Sequence, residues 1–202
     1  KTGTLLIENN SGLGTDSGGN DSGDKLEGVE TTGDAGTINI IADKIEIRDS
    51  SGMGSKTFGS GQAGKIRINT GSLLMQDSGL SVDTGLDRSN DTETATNNTG
   101  AAGIIEINAD EISLIDSGIG SETGGQGEAG EIKINATKIY LNDSSITSNT
   151  LESGKAGKIT LNADSLTLEN ESNISSNTLG SGQGGNIELQ IKKDLSLKNK
   201  SF

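Results

Sequence analysis

The sequence predicts an all-β protein built as a parallel β-helix, a solenoid of about seven coils of ~27 residues with three short strands per coil. Three observations predict it. First, an Ala-Gly or Gly-Gly dipeptide before a strand-like run sets anchors at Gly36, Gly64, Gly103, Gly130, Gly157 and Gly185, spaced by 28, 39, 27, 27 and 28 residues. Second, aliphatic residues recur at fixed offsets from those anchors. Third, the local period within each run is two, which is the alternation of a strand and not the 3.6 of a helix.

The first strand of each coil carries its aliphatics two and four residues after the anchor. These are Ile38/Ile40, Ile66/Ile68, Ile105/Ile107, Ile132/Ile134, Ile159/Leu161 and Ile187/Leu189. The second strand carries Ile45/Ile47, Leu73/Met75, Ile112/Leu114, Ile139/Leu141 and Leu166/Leu168, nine and eleven after the anchor. Its last copy, Leu195/Leu197, is displaced by one residue. A third, shorter run is headed by Met53, Leu80, Ile119, Ile146 and Ile174. Leu5-Leu6-Ile7-Glu8-Asn9 reads as part of an earlier copy. One such unit cannot bury its apolar face alone, whereas stacked units can, at the usual strand spacing of ~4.8 Å. A helical solenoid fails because no 3.6-residue stripe is present and Gly recurs in every unit. A β-sandwich would not repeat the same residue at the same offset six times.

Composition sets the boundaries on function. The 202 residues hold 29 acidic against 16 basic side chains, a net charge of −13, with 31 Gly, three aromatics, and no Pro, Cys, His or Trp. Without His or Cys there is no Ser-His-Asp or Cys-His catalysis, no imidazole or thiolate zinc site and no disulfide framework. The acidic balance opposes nucleic acid, and three aromatics make no stacking platform. No apolar run approaches the ~20 residues of a membrane span, and no signal-peptide pattern is present. The chain opens at Lys1 without a Met, and residues 1–202 read as one β-helical segment of a longer protein.

The unit from Ala156 to Leu168, AGKITLNADSLTL, and the run Ser175-Ser176-Asn177-Thr178-Leu179-Gly180-Ser181-Gly182 resemble the repeats of filamentous-haemagglutinin-like exoproteins of the two-partner secretion route, particularly the cyanobacterial type. The resemblance runs from about Leu5 to Leu197. It implies a right-handed β-helix on the outside of a Gram-negative-type cell, exported through an outer-membrane transporter partner. The amino-terminal secretion domain of that family, with its Asn-Pro motifs, is not in this sequence, which has no Pro.

Several columns follow from the stacking. Thirteen residues after each anchor stand Asp49, Asp77, Asp116, Asp143 and Asn170. A calcium ladder would use a row of carboxylates. Turn chemistry explains the same row more simply, because Asp and Asn bond to nearby backbone amides and Asn170 fills an Asp slot. The Gly-Gly-x-Gly-x-Asp nonapeptide of calcium-binding β-rolls is absent. Five residues after the anchor come Asn69, Asn108, Asn135, Asn162 and Gln190, with Ile41 the exception, and these read as a structural amide ladder. Thr57, Thr84, Thr123, Thr150 and Thr178 form a third column. Threonine columns raise ice binding, but Arg67, Glu106 and Lys133 at one offset, and Glu111 and Lys138 at another, describe charged solvated walls.

Catalysis is not expected. Polysaccharide-cleaving β-helices cluster Asp with Arg, Lys or His and use aromatics for sugar stacking, whereas the arginines here are only Arg48, Arg67 and Arg88. A lyase or hydrolase is therefore the least favoured alternative. The informative departures are two insertions. Thr57 to Ala63, Thr123 to Ala129, Thr150 to Ala156 and Thr178 to Gly184 are six residues apart, but Thr84 to Ala102 and Ser17 to Ala35 are eighteen. Both insertions, at about 17–34 and 85–101, thus leave one corner of the stack. The first carries Asp21, Asp24, Glu27 and Glu30, and the second Asp87, Arg88, Asn90, Asp91, Glu93, Asn97 and Asn98. Loops on one face of a repeat scaffold are a usual seat of binding, and polar, acidic, amide-rich loops suit sugar hydroxyls or divalent cations. Loops without a ligand explain them equally well. The expectation is a secreted rod acting as an adhesin that contacts glycans or cell-surface receptors. Its closest rival is a self-associating component of extracellular matrix, sheath or filament.

Overall fold

The computed structural model describes residues 3–18, 32–87, 94–95 and 99–202. The described residues contain strands and no helix: β1 (Thr4–Ile7), β2 (Gly12–Gly14), β3 (Thr37–Gly54), β4 (Lys65–Ser81), β5 (Leu86–Asp87), β6 (Thr94–Ala95), β7 (Ile104–Gly120), β8 (Glu131–Asn142), β9 (Ser145–Thr147), β10 (Lys158–Glu169), β11 (Asn173–Ser175) and β12 (Asn186–Leu197). Ten of them form one parallel sheet with the path β1-β3-β4-β7-β8-β10-β12, to which β2, β9 and β11 add further parallel pairs. The result is a β-solenoid of about five turns. The two-residue strands β5 and β6 make a separate antiparallel pair, Leu86 opposite Ala95 and Asp87 opposite Thr94.

The register follows the sequence repeat. Ile66, Ile105, Ile132, Ile159 and Ile187 stack in order, as do Ile68, Ile107, Ile134, Leu161 and Leu189. Between Ile66 and Ile159 these side chains are fully buried, and each contributes about 1.5–3 kcal/mol on burial. The inward columns Leu73-Ile112-Ile139-Leu166, Met75-Leu114-Leu141-Leu168 and Leu80-Ile119-Ile146 complete a single core. The displaced Leu195/Leu197 also finds its physical reason. Lys192 and Lys193 stand where Asp164 stands alone one turn earlier, a register shift that restores Leu195 to Leu166 and Leu197 to Leu168.

Strand division is coarser than the repeat suggests. β3, β4 and β7 run for 18, 17 and 17 residues, while the same stretch divides into 12 plus 3 in β8/β9 and in β10/β11. Pairing skips Asp43/Gly71, Gly71/Asp110 and Asp110/Thr137, and the chain turns again at a residue of positive φ.

Glycine is what lets the turns approach. A Cβ on Gly157 would overlap the carbonyl oxygen of Gly130 one turn below and the hydroxyl of Ser148. The same holds at Gly64, Gly130 and Gly185, each against the preceding anchor and the Ser of its own turn. A second glycine row, Gly61, Gly100, Gly127, Gly154 and Gly182, is equally crowded by the glycine or its neighbour one turn below. That row lies three residues before each anchor.

Candidate functional site

The residues of the acidic turn row share one backbone conformation. Asp49, Asp77, Asp116, Asp143 and Asn170 have φ of 58°, 46°, 48°, 48° and 53°. That is the left-handed region, which Asp and Asn tolerate better than other residues with a Cβ. A serine follows each turn. The Oγ of Ser117 donates to Ile115 O at 2.7 Å and accepts from the Ser78 amide at 3.2 Å. Ser144 does likewise toward Asn142 O at 2.8 Å and the Ser117 amide at 3.0 Å. Among the described residues no group of three or more His, Cys, Asp or Glu is arranged to hold a metal ion.

The amide ladder forms as a continuous chain. Asn108 Nδ2 donates to Asn69 Oδ1 at 3.0 Å, Asn135 to Asn108 at 2.8 Å and Asn162 to Asn135 at 2.8 Å. It ends there, because Gln190 Nε2 turns to Glu188 Oε1 at 2.7 Å instead of meeting Asn162. A second ladder, invisible as a column of identical residues, joins Asn170 to Asn142 at 2.6 Å and Asn199 to Asn170 at 2.8 Å.

The threonine column is internal rather than displayed. Thr57, Thr84, Thr123 and Thr150 are buried and joined by parallel bridges from Ser17 through Thr178. Their hydroxyls serve the backbone, Thr84 Oγ1 donating to Ala101 O and Thr150 Oγ1 to Lys155 O, both at 2.9 Å. A face for ice cannot be built from it.

The charged walls pair across turns. Arg67 Nε reaches Glu106 Oε2 at 2.8 Å and Lys65 Nζ reaches Glu106 Oε1 at 2.9 Å. These hydrogen bonds, Lys65 first, hold the Glu106 carboxyl below the usual carboxylate range. Lys138 meets Glu111 at 2.8 Å and Arg48 meets Glu8 at 2.5 Å. Lys193 and then Lys192 lower Asp164 in the same way.

Of the loop residues, Asp21, Asp24, Glu27, Glu30, Arg88, Asn90, Asp91, Glu93, Asn97 and Asn98 lie outside the described residues. Asp87 is placed only by its backbone pairing with Thr94. The roots are defined. Ser17 and Thr84 flank Thr57 in one bridged column, and Ala35 and Ala102 rejoin the stack through their amides, to Gln62 O and Glu128 O, both at 2.9 Å.

A surface that the repeat did not announce lies beside those roots. A groove of about 950 Å³ runs along the flank of β2 and the ends of β3, β4 and β7. Its floor is nearly bare backbone, since Gly12, Gly52, Gly79 and Gly118 occupy one outward register and Gly14, Gly54 and Gly120 another. The signal was present as glycines interrupting otherwise good strands. A smaller hollow of about 590 Å³ follows the Asn69-to-Asn162 ladder. No known family, no curated protein and no solved structure matches the chain.

Proposed function

We propose that this chain is a segment of a secreted or cell-surface β-helical rod, a filamentous-haemagglutinin-like passenger that acts as an adhesin and not as a catalyst. In its finer form the reading is a right-handed helix of about seven coils with three strands each, the end coils partial. The observation that carries it is the continuous parallel pairing from β1 to β12, which stacks outward positions as repeated columns with register shifts only at Arg48/Ser51 and Ala163/Ser165. A rigid stack of this kind holds many weak sites at fixed spacing, and their contacts add by multivalency. The two insertions share one corner, so whatever they contact is engaged together. Export would run through an outer-membrane two-partner-secretion transporter, with glycans or cell-surface receptors as ligands and calcium as the one candidate ion.

The test compares binding of the chain with and without both twelve-residue insertions, to a glycan array and to whole cells, in calcium and in EDTA. Binding that disappears with the insertions supports the adhesin, and sensitivity to EDTA supports calcium. The alternative is a self-associating matrix, sheath or filament component, for which the repeating parallel stack is the support. It predicts end-to-end association that is indifferent to deletion of the insertions.

A further inference from the structure

We infer that the hollow along the Asn69–Asn108–Asn135–Asn162 ladder binds a neutral, linear polysaccharide lying parallel to the stack. The inference rests on the reading above that the rod meets extracellular glycans, and it assigns contact to residues other than those of the insertions.

Four carboxamides are held in one orientation by their bonds to each other, at 2.8–3.0 Å. Each amide has two N–H groups, and the ladder uses only one per rung, so a row of donors remains at intervals of ~4.8 Å. The last acceptor of the row, Asn162 Oδ1, is buried and out of reach of a ligand, so the row offers donors only. A ligand group serving this row must accept from N–H, as sugar hydroxyl and ring oxygens do.

Charge selects the ligand class further. Asp110 and Lys192 are the ionic groups at the hollow, one of each sign, and Lys192 Nζ lies 3.3 Å from Asp164. The site thus favours neither a polyanion nor a polycation. The column beside the ladder is built from small residues, Thr70, Ala109 and Ala136, which leave the hollow open along its length. No aromatic residue lines it. Single contacts are weak and affinity grows with chain length.

The test is a titration of the isotopically labelled chain with cellohexaose and with maltohexaose, following side-chain amide signals by NMR, with polygalacturonate as the charged comparison. The expected result is saturable movement of the Asn108, Asn135 and Asn162 carboxamides by at least one neutral hexasaccharide. The Asn142–Asn170–Asn199 ladder serves as the internal control and stays still. Asn135→Ala should weaken binding about tenfold and Asn170→Ala should not, with backbone spectra reporting that each variant folds. The wild-type shift map decides the question even if a variant does not fold. The inference is overturned if neither neutral hexasaccharide moves the ladder, if shifts fall on other residues, or if polygalacturonate binds better. Shifts confined to the insertions would remove this site and keep the adhesin reading. Ladder binding without adhesion to cells would do the reverse.

Discussion

Ser148 and Gly157 lock a turn to the one below: Ser148 Oγ donates to Gly130 O at 2.8 Å, and the Gly157 amide donates to Ser148 O at 3.1 Å. Only a residue without a Cβ fits at 157. Gly157→Ala should therefore cost about 1–3 kcal/mol or more through overpacking against rigid backbone. Gly79→Ala, where a Cβ would meet nothing within 4 Å, should be near neutral. Urea unfolding of the two variants side by side checks the contrast, and equal losses would contradict it.

The acidic turns make a second prediction. Asp116 has φ of 48°, so Asp116→Val should cost about 1–2 kcal/mol, whereas Asp116→Gly should be tolerated. If the row serves turn geometry, Asp116→Asn should stay within about 0.5 kcal/mol of the parent, in calcium and in EDTA alike. A thermal shift that needs both calcium and the carboxylate would restore the ion ladder.

Ile41 breaks the amide ladder and is 87% exposed, in register with Asn69. Ile41→Asn should add a rung beneath Asn69 and stabilise by about 0.5–1 kcal/mol. Double-mutant analysis with Asn69→Ala checks that the gain depends on the neighbour.

Glu106 predicts the acid limb. Its folded pKa lies below its unfolded value because Lys65 and Arg67 bond the carboxylate. The contribution is thus complete above the ordinary carboxylate range and is lost as pH falls through the lowered folded value. The stability difference between the parent and Glu106→Gln should be about 0–1 kcal/mol at pH 7, shrink with salt, and vanish in acid. Melting temperatures of both proteins from pH 8 to pH 3 measure it.

The core was legible because burial imposes a strict period: Ile66, Ile105, Ile132 and Ile159 sit at one offset and all are fully buried. The Asn ladder was legible for the same reason, since identical side chains stack only if turns repeat. The long β3, β4 and β7 were not, because corners such as Asp43, Gly71 and Asp110 interrupt the pairing for a single residue only, too little to divide the strand. The threonine column was legible as a repeat, but the burial of Thr84 and Thr123 was not, as alternation alone does not say which way a corner residue points. The glycine groove was missed because the recurring Gly12/Gly14, Gly52/Gly54 and Gly118/Gly120 pairs do not by themselves say which flank they leave bare. The second glycine row was present at a constant offset, and only the distance to the turn below gives it meaning.

The central claim is that turns stack one upon the next in parallel register. Methyl–methyl NOEs along Ile66, Ile105, Ile132 and Ile159 test it most directly. The account predicts strong cross-peaks between successive members, 66 to 105, 105 to 132 and 132 to 159, and none between 66 and 159. A direct 66-to-159 contact, or missing neighbours along the row, would contradict the solenoid.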